Sequence, residues 1–270
     1  MQEEGVLVRY DAPQEAAARE VLRLYAEVRT ELQKTIGWPV EFSPTFVLLT
    51  EGVLEKMTES PLVTALAVPH RNLILLDVSK MSRHAFVLET TMKHELCHLL
   101  LHQYIPENEL PKWLDEGVCQ WVSNGIAEII MEKKVSILDQ AALSGGLLPL
   151  SRLTGHFPPE DRSLLLAYEQ SQSVVTYISE KYGADKVLLL LNQLRRGSTL
   201  SVAMDESLGI SVAELEVAWQ RSLRKRETWL LYVSTHLYEI LFFAAALLTV
   251  AGFVRSLWRR KWRYEDKEED

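Results

Sequence analysis

The sequence lacks any concentration of positive charge on its main body. Its 29 lysines and arginines are outnumbered by 37 acidic residues, and the formal net charge is −8. Because the basic residues do not collect into a stripe, the sequence predicts no nucleic-acid partner. Internal repeats and low-complexity stretches are also absent, which excludes a repeat protein.

Cysteine is almost absent, since Cys97 and Cys119 are the only two in the chain. Free cysteines of this kind usually behave as small buried hydrophobic residues, and we expect that role for both. A disulfide between them stays open at this point, because it depends on a geometry that the sequence does not give.

Apolar patterning predicts a domain that mixes helices and strands. The chain has 270 residues, of which 47% are hydrophobic, and this is enough for a sizeable core. An apolar face at helical spacing runs through residues 12–36 and ends at Gly37. Strands are predicted at residues 6–10, 45–50, 62–68 and 73–78, and further helices at residues 113–133, 162–182, 185–196 and 212–226.

Residues 91–100 contain the pattern His-Glu-x-x-His in a segment predicted to be a buried helix. Residues four apart on a helix point in similar directions, so His94 and His98 can present two imidazoles to one metal ion. Glu95 lies beside them and can accept a proton from water that the metal has made acidic. Several neighbours are uncharged, as a buried helix requires: Met92, Leu96, Cys97, Leu99 and Leu100.

A second motif, W-L-D-E-G, follows at residues 113–117. With both motifs present, the sequence resembles the gluzincin metallopeptidases of the peptidase MA-like group, in which a glutamate at a W-L-x-E-G helix start is the third metal ligand. Glu116 matches that ligand and lies eighteen residues after His98. The alternative is an acidic residue that only favours the positive end of a helix dipole.

The resemblance implies one Zn²⁺ per chain, held by His94, His98 and Glu116 with a position left for water, and Glu95 as the general base. Residues 167–175 partly resemble the Y-x-K-G segment of the same peptidases, whose tyrosine stabilises the oxyanion. Tyr168 matches that tyrosine, although Gln and Ser stand in place of the Lys and Gly. A core aromatic residue is the other interpretation of Tyr168.

The resemblance also implies a zincin-like α+β fold over residues 1–226. Its parts would be a small N-terminal mixed sheet with helices, the active-site helix and a helical C-terminal subdomain. We expect the strand at residues 73–78 to be an edge strand along the substrate cleft, able to pair with an extended peptide. An edge that simply faces solvent is equally open. His70, His84 and His102 are expected to lie at the surface or next to the metal ligands, without binding the metal themselves.

Residues 230–254 are mostly apolar, and residues 241–254 carry no charge. As a helix, this stretch would be roughly 37 Å long, enough to cross a bilayer core of about 30 Å. The sequence therefore predicts one transmembrane helix, followed by a short charged tail at residues 255–270. A C-terminal helix that packs on a soluble enzyme is the alternative.

Five basic residues directly follow the apolar run, at positions 255, 259, 260, 261 and 263. Positive residues stay on the cytoplasmic side, so we expect a single-pass protein of the cell membrane with a cytoplasmic tail and an extracytoplasmic catalytic domain. Residues 1–5 have no basic start and no apolar run, and no signal peptide is visible. Export of a domain that precedes its anchor normally needs such a signal, so we expect that the true start lay upstream or was removed. The alternative is a cytoplasmic domain, for which the charge rule fails.

Together these features predict a membrane-anchored zinc metallopeptidase that hydrolyses peptide bonds in a peptide or protein substrate. No counterpart of the G-x-M-E-N segment, by which the aminopeptidase branch captures a free N-terminus, is present, so an endopeptidase is favoured. The alternative function is a catalytically inactive, membrane-tethered binding or scaffold protein that retains a gluzincin fold. The intact Glu95 argues against this alternative.

Overall fold

The computed structural model describes residues 1–3, 5–81, 85–125, 136–235, 237, 241–242, 245–252 and 255. The chain divides into two compact units, Met1–Gln220 and Arg221–Asp270. His84, for which the sequence analysis made a prediction, falls outside the described residues, as does part of the apolar stretch at residues 230–254.

A five-stranded mixed sheet forms the N-terminal part of the first unit, in the order β1-β2-β3-β5-β4. Strands β2, β3 and β5 pair in parallel, whereas β1 and β4 run antiparallel to their neighbours. The predicted small mixed sheet is thus confirmed. The strands are β1 (Gln2–Glu3), β2 (Val6–Arg9), β3 (Thr45–Leu49), β4 (Ala65–Val68) and β5 (Leu73–Asp77).

The predicted edge strand at residues 73–78 is not at an edge. Strand β5 lies between β3 and β4, with Ile74 opposite Phe46 and Leu75 opposite Leu66. Four consecutive residues of β5 are buried, because both of its faces are covered, and an uninterrupted apolar run is typical of such an interior strand. The edge on this side of the sheet is β4, whose residues are mostly half-buried.

Helices make up most of the rest of the described chain and confirm the mixed α+β architecture. Helix α1 ends at Gly37, as predicted, because this glycine adopts a left-handed conformation with φ 79°. The helices are α1 (Glu15–Ile36), α2 (Val53–Thr58), α3 (Val78–Met81), α4 (Ala85–Tyr104), α5 (Lys112–Ser123), α6 (Ile137–Ser144), α7 (Asp161–Tyr182), α8 (Ala184–Arg195), α9 (Leu200–Leu208) and α10 (Val212–Thr235).

The helix predicted for residues 113–133 was too long. Helix α5 ends at Ser123, because Asn124 adopts a left-handed conformation with φ 58° and its N–H bonds to the Gln120 carbonyl. Asparagine tolerates this conformation better than most residues, and it is a common helix terminator. Residues 126–135 lie outside the described part of the chain.

Helix α4 lies in the interior of the first unit, in contact with α1, α5 and β4. The Lys93 ammonium pairs with Glu31 Oε2 of α1 at 2.7 Å. The uncharged residues that follow are buried, as the sequence predicted, and they give α4 no solvent face near the two histidines: Leu96, Cys97, Leu99 and Leu100.

Aromatic contacts hold the C-terminal end of α4. The rings of Tyr104 and Trp38 meet edge to face at 5.4 Å, and the Arg195 guanidinium of α8 lies 4.2 Å from the Tyr104 ring centroid. Trp38 Nε1 donates to Asn192 Oδ1 at 2.9 Å. Cation–π and edge-to-face contacts of this kind contribute about 1 kcal/mol each, so they help to fix the helix that carries the histidines.

Helix α10 extends to Thr235, beyond the predicted end at residue 226. Among the described residues, no helix is both long enough and apolar enough to cross a membrane. Within the predicted span at residues 230–254, residues 236, 238–240, 243–244 and 253–254 lie outside the described set.

Candidate active site

Helix α4 places the two histidines of the H-E-x-x-H pattern side by side. The His94 and His98 rings lie 4.7 Å apart at an angle of 82°, and their Nε2 atoms are 3.1 Å apart. Both residues are buried, with 0% and 4% of their surface exposed. The one-turn spacing therefore produces a pair of imidazole nitrogens that face the same point.

Helix α5 brings Glu116 to that point. Its Oε2 lies 3.5 Å from His94 Nε2 and 3.5 Å from His98 Nε2, and the residue is 1% exposed. Helix α5 begins directly after Pro111, which supplies its carbonyl to the N–H groups of Leu114 and Asp115. This early start puts Glu116 in the second turn of a helix that packs against α4.

The three groups fit a zinc ion. Around a tetrahedral zinc with bonds of about 2.0–2.1 Å, neighbouring ligand atoms lie roughly 3.3 Å apart. The three separations here are 3.1, 3.5 and 3.5 Å. Two neutral imidazoles and one carboxylate are also a donor set that zinc prefers in catalytic sites.

Glu95 follows His94 on α4 and is fully buried at 0% exposure. A carboxylate is costly to bury, because its charge loses the solvation of water. Its burial beside the metal-type cluster is consistent with a base that acts in a water-poor site.

Asp115 is a residue of the site that the sequence analysis did not identify. Its Oδ1 accepts the Nδ1–H of His98 at 2.7 Å, and its Oδ2 lies 3.2 Å from Nε2 of His102. Because Asp115 holds the proton on Nδ1, a neutral His98 directs its Nε2 lone pair to the position between His94 and Glu116 where a metal ion would bind. His102, which was expected at the surface or next to the metal ligands, lies beside Asp115 and is half-buried. The available signal was the variable position of the W-L-x-E-G motif, which here is a carboxylate.

The charges in this cluster shift one another's pKa values. Burial lowers the pKa of His98, but the Asp115 and Glu116 carboxylates outweigh it and raise that pKa well above its ordinary value. Burial alone would raise the pKa of Asp115, and the charges of His98 and Lys112 bring it far below the ordinary value. Lys112 and His98 likewise lower the pKa of Glu116 against the effect of burial. Both carboxylates are therefore ionised and act as hydrogen-bond acceptors.

The two cysteines are free thiols and fully buried, as expected for small apolar residues, so the question of a disulfide is resolved. Cys119 Sγ lies 3.4 Å from His98 Nδ1 and 4.0 Å from Asp115 Oδ1, and these three residues form a second group with metal-type spacing. Burial and the neighbouring Cys97 raise the pKa of the Cys119 thiol. Cys119 therefore lies on the Nδ1 side of the His98 ring, whereas Glu116 faces its Nε2 atom.

Tyr168 belongs to α7, which packs against α5. It is 8% exposed, and its ring meets that of Phe157 edge to face at 5.2 Å. The two positions where Y-x-K-G differs have structural roles. Gln170 bonds to both backbone groups of Leu148, at 2.8 and 2.9 Å, while the Ser171 carbonyl lies against Gly117 of α5. The oxyanion role of Tyr168 stays a prediction.

Comparison with protein families identifies a relationship for this chain. The model of the peptidase MA superfamily matches residues 56–225, which is more than half of the chain and includes both motifs. No curated protein matches the sequence.

Proposed function

The chain belongs to the peptidase MA superfamily, and on this premise we propose that it is a zinc-dependent metallopeptidase that hydrolyses internal peptide bonds. The observation that carries the proposal is the convergence of His94, His98 and Glu116. Their three ligand atoms lie within 3.5 Å of one another in a buried site. Three protein ligands leave a position for water, as in catalytic zinc sites.

The chemistry divides among the residues of the two helices. A zinc ion held by His94, His98 and Glu116 would polarise the scissile carbonyl and lower the pKa of the attacking water. Glu95 accepts the proton of that water on its carboxylate and then donates it to the leaving amine. Tyr168 is the proposed hydrogen-bond donor to the oxyanion.

Strand β4 is the proposed binding ledge for the substrate. It lies at one edge of the described sheet and contacts the active-site helix α4. The unpaired backbone groups of an edge strand can bond to an extended peptide, and such pairing is independent of side chains. A ledge of this kind accepts a substrate peptide that continues in both directions. In addition, this protein lacks the G-x-M-E-N segment of aminopeptidases. Both points favour an endopeptidase.

The experiment separates metal binding from hydrolysis. The chain is purified without added metal, its zinc content is measured, and cleavage of a mixed peptide library is followed by mass spectrometry. Glu95→Gln should retain zinc and lose hydrolysis by at least about a thousandfold, whereas Glu116→Ala should lose most of its zinc. Glu89→Gln, elsewhere on the same helix, is the matched control and should behave like the wild type. Hydrolysis that survives Glu95→Gln would refute the mechanism, and zinc binding without hydrolysis would favour the inactive scaffold.

We further propose that the C-terminal segment tethers the protein to a membrane. Several apolar side chains of the described residues in this segment are 44–74% exposed: Leu237, Leu241, Phe242, Leu247, Leu248 and Val250. Exposed apolar groups at this density favour a lipid or protein partner. The expected orientation places the tail in the cytoplasm and the catalytic domain outside. The full chain should float with liposomes and resist carbonate extraction, and protease protection would report its orientation. A chain that stays in solution without detergent would contradict the tether.

A further inference from the structure

Lys112 occupies a position that local helix rules disfavour. It is the first residue of α5, where the positive end of the helix dipole repels a cation. It also precedes Glu116 by four residues, which is the weaker order for an ion pair on a helix. Sequences that break local rules tend to do so at functional sites. The contacts of Lys112 show what this residue does there.

The Lys112 ammonium lies 2.6 Å from Oε1 of Glu116 and 3.7 Å from Oδ2 of Asp115. Its side chain is 38% exposed, whereas those of Glu116 and Asp115 are 1% and 4% exposed. Lys112 therefore brings a cation from the solvent side to two buried carboxylates. Unpaired buried carboxylates would be strongly destabilising, so this charge compensates them.

The two oxygens of Glu116 have different partners. Oε2 faces the Nε2 atoms of His94 and His98 at 3.5 Å, while Oε1 faces Lys112. Lys112 thus holds Glu116 by the oxygen that the histidines do not share. The same ammonium is close enough to repel any cation that Oε2 binds.

We propose that Lys112 is the counter-ion of the metal site: it stabilises the site before the metal binds and weakens the affinity of the site for zinc. Lys112 is thus a positioning residue that acts through Glu116. The inference rests on the proposed function, since it requires zinc at His94, His98 and Glu116. Loss of the lysine should therefore have two effects of opposite sign. It should lower the stability of the metal-free protein, and it should raise the affinity for zinc because a repulsion in the zinc-loaded protein is relieved.

The experiment compares Lys112→Met, Lys112→Arg and the wild type. Zinc affinity is measured by competition with a chromophoric chelator, and melting temperatures are measured with and without zinc. Lys112→Met should bind zinc about tenfold more tightly, the change expected for one nearby, partly solvated charge. Its metal-free form should melt at a lower temperature, and its zinc-loaded form close to the wild type. Lys112→Arg keeps the charge and should restore the wild-type affinity.

Lys93→Met is the matched control. Lys93 follows directly before His94 but pairs with Glu31 of α1 at 2.7 Å, so its removal should change the zinc affinity less than twofold. If the metal-free Lys112→Met variant does not fold, the rate of zinc release from loaded protein to excess chelator replaces the affinity, and a slower release is expected.

An unchanged or weaker zinc affinity in Lys112→Met, or faster release, would overturn the proposal. A purely structural ion pair would lower both melting temperatures equally without tightening zinc binding. A wild type that binds no zinc would refute the proposed function, and this inference with it. A wild type that binds zinc while Lys112→Met binds it less tightly would refute the inference alone.

Discussion

Helix α5 has two interfaces of opposite character. Towards α4 it presents ionisable groups, with Asp115 bonded to His98 and Glu116 facing both histidines. Towards α7 it presents Gly117, where a Cβ atom would lie 2.4 Å from the Ser171 carbonyl oxygen and 2.6 Å from Val175 Cγ2. The interface with α4 carries charge, whereas at the interface with α7 the backbones of the two helices approach each other closely.

The comparison separates the residues that stabilise the protein from those that serve the site. Close packing against α7 gains dispersion and apolar burial, and any added atom there meets backbone. Burial of charge against α4 costs free energy unless each group is paired, which explains the connected set of histidines, carboxylates and Lys112. The glycine of the W-L-x-E-G motif therefore supports the glutamate beside it, because it lets α7 hold α5 in place.

The largest effect is expected from a substitution in the packed interface between α5 and α7. Gly117→Ala should destabilise the protein by about 3 kcal/mol, because the new methyl group meets the backbone of α7 and only a shift of a helix can relieve the clash. Denaturant unfolding measures the change. Zinc affinity should fall as well, since Glu116 moves with α5.

Gly125→Ala is the control for this variant. A Cβ at Gly125 would lie 3.6 Å from Thr90 Cγ2, an ordinary contact, and we expect a change below about 0.5 kcal/mol. Equal effects of the two substitutions would show that close contact with α7 is not what requires Gly117.

A smaller effect is expected at the charged interface. Asp115→Asn keeps the shape of the side chain but replaces a charged acceptor of the His98 Nδ1–H by a neutral one, so zinc affinity should fall about ten- to hundredfold. The chelator competition measures it, with Asp161→Asn at the exposed start of α7 as the control. This change is opposite in sign to that expected for Lys112→Met. An unaltered affinity would mean that the Asp115 charge does not support His98.

The smallest effects compare two buried glutamines, one on each helix. Gln170 of α7 bonds to both backbone groups of Leu148, whereas Gln120 of α5 has no hydrogen-bond partner for either amide atom in the described part of the chain. Gln170→Met should cost about 1 kcal/mol, because it removes the partner of two half-buried backbone groups. Gln120→Met should be neutral or slightly stabilising in denaturant unfolding. A large loss of stability in Gln120→Met would contradict this expectation.

Much of the site could be predicted from local sequence, because it depends on spacing within one helix. Residues four apart share a direction at 3.6 residues per turn, so the pairing of His94 and His98 followed from their positions alone. Glu116 was identified by the resemblance to a family rather than by physics. The boundaries of α1 and β3 were also close to their predicted positions, since glycine and apolar runs mark them directly.

The remaining features depend on how separate elements pack. The order of strands put β4 rather than β5 at the edge, since pairing of strands distant in sequence decides which one lies outside. The place of Asp115 in the site could not be predicted in this way, because its distance to His98 depends on how α5 packs against α4.

The Lys112 pair shows where this division falls. A lysine can reach residues three and four positions ahead on any helix, so the sequence by itself determines that this contact is available. Only the tertiary structure decides that the second oxygen of Glu116 faces two histidines, because that arrangement depends on how α4 and α5 pack.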